Sequence, residues 1–167
     1  YATANWTHAN GNIDDGVAFS VVCAPEGYTY VPDNNFEQAI IDYGYDIAVD
    51  DFVLTENIDD VTNLYISGKE ISDLTGIEDF TALTYLSCHS NQLTSLDVSA
   101  NTALTYLHCS DNELTALDVS ANTALNSLSC HANQLTSLDV SANTALTSLN
   151  FSDNQVTTMA VSVNTAL

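Results

Sequence analysis

Apolar residues recur with a period of 21 residues through the second half of the chain. Residues 83–103 have the sequence LTYLSCHSNQLTSLDVSANTA, and close copies occupy residues 104–124, 125–145 and 146–166. A degenerate copy, one residue longer, fills residues 61–82. Copies at a fixed spacing of this size indicate a repeat architecture. We therefore predict five stacked repeats over residues 61–167, with Leu167 as the first residue of a sixth.

Each copy contains a short alternation of buried and exposed positions, such as Leu86 and Cys88 in the first full copy. Period two predicts a strand with one buried face. The rest of the copy must return the chain to the start of the next strand, with Leu93, Leu96 and Val98 pointing inward. Because one repeat cannot bury its apolar side alone, neighbouring repeats should stack with their strands parallel and roughly 4.8 Å apart.

The pattern L-x-x-L-x-C-x-x-N-x-L within each copy resembles the leucine-rich repeat. This resemblance implies a leucine-rich-repeat solenoid with a parallel β-sheet on its concave face and irregular or 3₁₀ segments on its convex side. It also implies that one asparagine per repeat turns inward and satisfies backbone groups at the bend after the strand. The residues in that column are Asn91, Asn112, Asn133 and Asn154. Lys69 replaces the asparagine in the degenerate copy, which predicts an irregular bend there. A second column, expected to act similarly at the other corner, consists of Asn101, Asn122, Asn143 and Asn164.

Residues 30–60 are expected to form a helical cap on the first repeat. Asn34 followed by Glu37 fits a capping box, and Gly44 fits the end of a helix. An amphipathic helix near residues 35–43 is predicted by apolar residues at i, i+3, i+4 and i+7, namely Phe36, Ala39, Ile40 and Tyr43. The exposed end of a solenoid needs such a cap, and this one resembles the caps of internalin-like proteins.

A more specific resemblance covers residues 30–167. The segments PDNNFE (32–37), LTENI (54–58) and SGKEISDLTGIEDFTAL (67–83) lead into LTSLDVS repeats, as in secreted repeat proteins of Bacteroidetes. This resemblance implies an extracellular or cell-surface setting. Residues 1–29 form an N-terminal extension or the end of a preceding domain, with one strand predicted near residues 17–22. Because residue 1 is a tyrosine and no signal peptide is visible, we expect the chain to be part of a longer or processed product.

The charge is strongly one-sided. Twenty-two acidic residues face one basic residue, Lys69, and the net charge is −21. Such a chain repels phosphate, which argues against nucleic-acid binding and against anionic membrane surfaces. The sequence has no apolar run long enough to insert into a membrane. Neutral or basic partners and divalent cations remain compatible with this charge.

Tyrosine and histidine are concentrated at strand positions that should face outward from the concave sheet. Both side chains combine an apolar body with a polar tip, which suits contact with a protein or glycan ligand. Polar residues of varied type also occur on the exposed strands of any repeat protein. The predicted ligand-binding residues are Tyr65, Tyr85, His89, Tyr106, His108 and His131.

Three cysteines lie 21 residues apart at a buried strand position: Cys88, Cys109 and Cys130. Side chains that project in parallel do not meet the geometry of a disulfide or of a tetrahedral zinc site, so we interpret them as small core residues. His89 and His131 should lie roughly 10 Å apart by strand spacing, too far to share one ion. Cys23 lies outside the repeats, and its partner, if it has one, is not predicted.

One aspartate per repeat falls on the return segment, at Asp97, Asp118 and Asp139. Like charges about 5 Å apart repel by roughly 1 kcal/mol even in water, so another interaction should offset the repulsion. Hydrogen bonds from local backbone amides are one possibility, and a row of Ca²⁺ ions is the other. Apart from this calcium, the sequence indicates no cofactor. A threonine column resembles those of ice-binding solenoids, although Leu and Ser interrupt it: Thr94, Thr115, Thr136 and Thr157.

No arrangement of residues in the sequence suggests a catalytic site. We therefore predict a non-catalytic extracellular recognition module that binds a protein or glycan through its concave face. The alternative is a structural, spacer or adhesion repeat of a larger secreted protein, and an ice-binding or calcium-dependent surface is a minor one.

Overall fold

The structure is a computed structural model that describes residues 24–157, 159–160, 164 and 167. The strand predicted near residues 17–22 and Cys23 lie outside these residues. One α-helix, α1, spans Asn34–Asp42. The strands are β1 (Tyr28–Tyr30), β2 (Phe52–Leu54), β3 (Asn63–Tyr65), β4 (Tyr85–Ser87), β5 (Tyr106–His108), β6 (Ser127–Ser129), β7 (Leu138–Asp139), β8 (Ser148–Asn150) and β9 (Met159–Ala160).

Five strands, one from each repeat, form a parallel sheet in the order β3-β4-β5-β6-β8. The register is constant, because each residue pairs with the residue one repeat away; Leu86, for example, is opposite Leu64 on one side and Leu107 on the other. The predicted solenoid with parallel strands is therefore confirmed. The central leucine of each strand points into the core, and the residues beside it lie on the outer face of the sheet, although Ser87 is buried there.

The core is one continuous apolar column that runs from the cap through the repeats. Leu86, Leu107 and Leu128 are at most 1% exposed, and the return-segment residues Leu93 and Val98 are fully buried against them. The backbone on the convex side is not the same in all repeats. The first repeat contains a 3₁₀ helix at Ile77–Asp79, whereas β7 and β9 pair in parallel in later repeats.

Two columns of asparagine hold successive repeats together. Asn112 Oδ1 accepts a hydrogen bond from the backbone N–H of Leu93 in the preceding repeat, at 3.0 Å. Its Nδ2 donates to the carbonyls of Cys88, Cys109 and Ser110. In the second column, Asn122 Nδ2 donates to carbonyls of the preceding repeat while its Oδ1 is buried without a partner.

The bend before the first asparagine column uses left-handed backbone in every repeat. The residues with positive φ there are Ser90, Asp111, Ala132 and Asp153. The degenerate first repeat places Gly68, with a φ of 67°, at the equivalent position. Lys69, which replaces the asparagine, donates its backbone N–H to Asn91 Oδ1 of the next repeat. The first bend therefore receives its polar contact from the second repeat, although it lacks its own amide side chain.

The cap consists of α1 and the antiparallel pair of β1 with β2. The predicted capping box is wrong: Asp33 is the N-cap, and its carboxylate accepts from the backbone N–H groups of Asn35 and Phe36. Glu37 does not reach back to the helix start but is buried. Gly44, with a φ of 81°, ends the helix as predicted. Tyr43 is 41% exposed and donates its hydroxyl to the Tyr65 carbonyl instead of packing inward.

The cap and the first repeat approach each other closely at Gly76. A Cβ atom at this position would lie 2.8 Å from the Tyr30 carbonyl oxygen and 2.9 Å from Val31 Cγ2. The φ of Gly76 is 102°, which also favours glycine.

Among the described residues, none of the helices is long and apolar enough to cross a membrane.

Candidate ligand-binding face

The candidate face consists of the outward side chains of the five-stranded sheet. The register aligns Tyr85 with Tyr106, and His108 with Ser87 and Ser129. We call Tyr65, Tyr85 and Tyr106 the tyrosine row, and His89, His108 and His131 the histidine row. The structure brings these two rows together on one surface, over the first four repeats.

The members of the tyrosine row stack on one another. The rings of Tyr85 and Tyr106 are parallel within 3°, with centroids 4.2 Å apart. Tyr65 lies on the other side of Tyr85 at 4.8 Å, tilted by 38°, and is 52% exposed. Burial between these neighbours, with a further effect of the adjacent phenols, raises the pKa of Tyr85 to about 12. The row therefore presents ring edges and hydroxyl groups, and the ring faces of Tyr85 are covered.

The histidine row is also in contact along its length. The ring centroids of His89 and His108 are 4.3 Å apart, and those of His108 and His131 are 6.1 Å apart. The rings stack side by side instead of converging on one point, so their nitrogen atoms do not form a common ligand set. The edge of His108 contacts Tyr106, with an interplanar angle of 85°, which joins the two rows.

Polar contacts fix the orientation of the histidine rings. Ser110 Oγ donates to Asp111 Oδ2 at 3.0 Å and lies 2.7 Å from His108 Nε2. Because the Ser110 proton is directed to Asp111, His108 Nε2 must carry the proton of the neutral ring. Burial lowers the pKa of His108, and the charges of His89 and His131 lower it further. His131 Nδ1 lies 3.0 Å from Ser129 Oγ, and its Nε2 is 3.7 Å from Asp111 Oδ2.

The contact between His108, Ser110 and Asp111 does not have the geometry of a nucleophilic triad. In a triad the carboxylate orients the histidine, and the histidine accepts the serine proton. Here the carboxylate accepts the serine proton directly, and Ser110 is fully buried. The arrangement is suited to fixing side chains on the face.

The cysteine column lies directly beneath this face. Cys88, Cys109 and Cys130 are fully buried free thiols. Burial raises the pKa of Cys88 and of Cys130 to about 12, and it raises that of Cys109 well above the ordinary value. These thiols occupy the core positions of small apolar residues.

The aspartate column lies outside the sheet, on the return segments. Asp97, Asp118 and Asp139 each accept a hydrogen bond of 2.8–2.9 Å from the backbone N–H two residues later. The donors are Ser99, Ser120 and Ser141. Hydrogen bonding from these serines lowers the pKa of all three carboxyls. The hydrogen bonds from local backbone amides are therefore present in all three repeats. The row of Ca²⁺ ions stays a prediction.

A second set of polar residues lies in the cap, away from the sheet, and was missed by the sequence analysis. Glu37, Asp46 and Asp50 place one oxygen atom each within 4.8 Å of one another. They belong to two non-repeating segments, and the spacing of Glu37 from Asn34 also fits a capping box. The signal in the sequence was an acidic residue next to Phe36 and one turn before Ile40, both on the apolar face of the predicted helix.

Comparison with known proteins supports the architecture described above. No family model matches the chain. Internalin J of Listeria monocytogenes serotype 4b is 43% identical over 72 residues, which is 43% of this chain and 8% of that protein. A solved structure of the functional domain of internalin J, which includes a cysteine ladder, has a TM-score of 0.77 and 42% identity. That alignment covers 84% of this chain and 32% of the other.

Two further solved structures have the same fold. Internalin F of L. monocytogenes aligns with a TM-score of 0.75 and 26% identity, over 83% of this chain and 42% of the other. A leucine-rich-repeat protein of Leptospira interrogans aligns with a TM-score of 0.64 and 25% identity, over 66% of this chain and 31% of the other. The chain thus spans less than half the length of each of these relatives. The more specific likeness to proteins of Bacteroidetes stays a prediction.

Proposed function

We propose that this chain, an internalin-like leucine-rich-repeat protein, is a non-catalytic extracellular module that binds a protein ligand through the tyrosine and histidine rows. Internalin-like leucine-rich-repeat proteins usually bind proteins, and internalin homologues are surface or secreted proteins. The observation that carries the proposal is the continuous contact of six aromatic side chains on the concave face. Side chains that already pack on one another have less side-chain entropy to lose when a partner docks.

The stacking geometry favours a protein over a glycan. A sugar ring that binds an aromatic residue needs an open ring face, but both faces of Tyr85 are covered by its neighbours in the row. Ring edges and hydroxyl groups instead match the mixed apolar and hydrogen-bonding surface of a protein partner. The net charge of −21 favours a partner with neutral or basic character at its contact surface.

The repeats themselves provide variants that test the face without disturbing the fold. Ser127 and Ser148 occupy the column of Tyr85 and Tyr106 in later repeats, so Tyr85→Ser and Tyr106→Ser introduce residues that the sheet already accommodates. The matched control changes exposed residues of the return segment, Thr94→Ala and Thr115→Ala. All proteins would be applied to an array of extracellular proteins and to a glycan array, with and without calcium.

The proposal predicts hits on the protein array that the tyrosine variant loses and the threonine variant retains. Hits that persist in the tyrosine variant would place the binding site elsewhere. Hits confined to the glycan array would show that the ligand is a glycan and not a protein. Absence of binding on both arrays would favour the alternative of a spacer or adhesion repeat.

A further inference from the structure

The cap contains a buried carboxylate with an unused oxygen. Glu37 is 0% exposed. Its Oε1 accepts hydrogen bonds from the backbone N–H groups of Asp50 and Phe52, at 3.0 and 3.1 Å. Its Oε2 is buried and has no hydrogen-bond partner. An ionised carboxylate oxygen in this condition is costly unless a proton or a cation compensates it.

Two more carboxylates are directed to the same place. Oxygen atoms of Glu37, Asp46 and Asp50 all lie within 4.8 Å of one another. Asp46 Oδ2 is also buried without a partner. Lys69, the one Lys or Arg of the chain, pairs with Asp42 on the same helix at 2.9 Å and is therefore engaged elsewhere. Among the described residues, no cationic side chain forms an ion pair with this cluster.

We propose that Glu37, Asp46 and Asp50 together bind one divalent cation, and that this cation is Ca²⁺. The three ligand groups are all carboxylates, which Ca²⁺ prefers, and the site offers no nitrogen or sulfur donor of the kind that zinc selects. Ligand oxygens bind Ca²⁺ at about 2.4 Å, so two of them on one ion lie at most about 4.8 Å apart. The separation of the three oxygens meets this limit.

The surroundings can complete the coordination shell. Ca²⁺ takes about six to eight oxygen ligands, more than three side chains provide, so water must supply the rest. Asp50 is exposed and Asp46 is half-buried. Both residues line a surface pocket of about 350 Å³ that also includes Tyr28, Tyr45 and Asn57. Solvent can therefore reach the ion from the side opposite to the buried Glu37.

The first experiment is thermal unfolding of the whole chain in a chelator and in increasing CaCl₂, with NaCl added to keep the ionic strength constant. At a Ca²⁺ concentration 100 times the dissociation constant, binding should raise Tm by roughly 5–10 °C. Because a chain with a charge of −21 attracts cations in general, Glu113→Gln is the matched control. It removes the same charge from an exposed position in the repeats, and its Ca²⁺-dependent shift should equal that of the wild type.

Glu37→Gln is the decisive variant. The glutamine oxygen can still accept from Asp50 and Phe52, and its amide can donate toward Asp46. We expect this variant to be more stable than the wild type in chelator, by roughly 2–4 °C in Tm, and to lose the Ca²⁺-dependent shift. A shift of wild-type size in Glu37→Gln would overturn the proposal, as would a wild type that responds no more to CaCl₂ than to NaCl.

Tb³⁺ luminescence provides a readout that does not depend on stability. Tb³⁺ replaces Ca²⁺ at oxygen sites, and Tyr28 and Tyr45 of the adjacent pocket can transfer excitation energy to it. We expect luminescence that saturates, is displaced by Ca²⁺ and falls at least tenfold in Asp50→Asn, an exposed position where misfolding is not expected. Equal luminescence in Asp50→Asn and the wild type would contradict the assignment of the ligands.

Discussion

Asp33 accepts hydrogen bonds from both the backbone N–H and the hydroxyl group of Ser72, each 2.8 Å long. The same carboxylate caps α1 through Asn35 and Phe36. One side chain therefore joins the first turn of the cap helix to the return segment of the first repeat, 39 residues away in the sequence.

We expect Asp33→Ala to destabilise the chain by about 2 kcal/mol or more, because it removes a helix cap and the contacts to Ser72 and Asp73 together. Urea unfolding followed by circular dichroism would measure the change. Asp60→Ala, at an exposed position of the cap, is the control and should alter stability by less than about 0.5 kcal/mol. An equal effect of the two substitutions would show that Asp33 does not couple the cap to the repeats.

Asp33 and Glu37 should contribute to stability with opposite dependence on pH. Burial alone raises the pKa of Asp33, but hydrogen bonds from Ser72, Phe36 and Asp73 outweigh it and lower the pKa. Its contribution is present above the unfolded pKa and is lost as pH falls through the folded pKa. The pKa of Glu37 is raised, by burial first and by Asp46 as well, against the lowering effect of backbone hydrogen bonds. Its contribution is present below the unfolded pKa and is lost as pH rises.

In chelator, the stability advantage of Glu37→Gln should therefore grow as pH rises from about 4 to 7, and the deficit of Asp33→Ala should shrink below about pH 4. Urea unfolding at a series of pH values would give both curves. Parallel curves for the two variants would contradict the assigned directions.

Removal of one inward asparagine side chain should strongly destabilise the fold. Asn112→Ala leaves the buried N–H of Leu93 without a partner. It also removes one of the hydrogen bonds to each of the carbonyls of Cys88, Cys109 and Ser110. We expect a loss of about 3 kcal/mol in the free energy of unfolding. Asn126→Ala, at an exposed position where water replaces the lost contacts, should cost about 1 kcal/mol or less. Comparable losses would mean that burial of the first asparagine column does not increase its contribution to the free energy of unfolding.

The cysteine column should not react with thiol reagents in the folded chain. In a Cys23→Ser background, Cys88, Cys109 and Cys130 should not react with Ellman's reagent at pH 8, because burial keeps them as neutral thiols with raised pKa values. Addition of denaturant should release three equivalents of thiol. Rapid reaction before unfolding would show that the column is accessible.

Protonation of His108 should oppose folding. The folded pKa of His108 lies below the ordinary value of 6.5, by burial first and then by the charges of His89 and His131, against Asp111. The stability that depends on its neutral form is present above the unfolded pKa and is lost as pH falls. His108→Ser, which matches Ser87 and Ser129 in the same column, should reduce the loss of stability between about pH 7 and 5. NMR titration of the His108 imidazole signals would check that its pKa is lowered.

The sequence was sufficient to predict the sheet, because the 21-residue period determines which residues lie opposite each other. The alignment of Tyr85 with Tyr106, and of Leu86 with Leu107, follows from the 21-residue spacing alone. The period does not determine how a ring is oriented, so the parallel stacking of Tyr85 on Tyr106 could not be predicted from the sequence and is seen only in the structure. The same limit applies to the hydrogen bond that directs the Ser110 proton to Asp111.

The cap was predicted less well, since its residues have no second copy for comparison. Asn34 and Glu37 match a capping box by spacing, yet Asp33 is the better acceptor because its second oxygen also reaches Ser72. Once Asp33 caps the helix, Glu37 is free to turn inward toward the loop that contains Asp46 and Asp50. Only tertiary contacts between non-repeating segments could reveal that arrangement.

The asparagine contacts give the solenoid a direction. Asn112 supplies the missing partner of Leu93, and Asn133 supplies that of Leu114, so every coil is completed by the one that follows it in sequence. Because a polypeptide leaves the ribosome from its N-terminus, each coil would acquire its last buried hydrogen bonds one repeat behind the point of synthesis, and consolidation would advance stepwise from the cap.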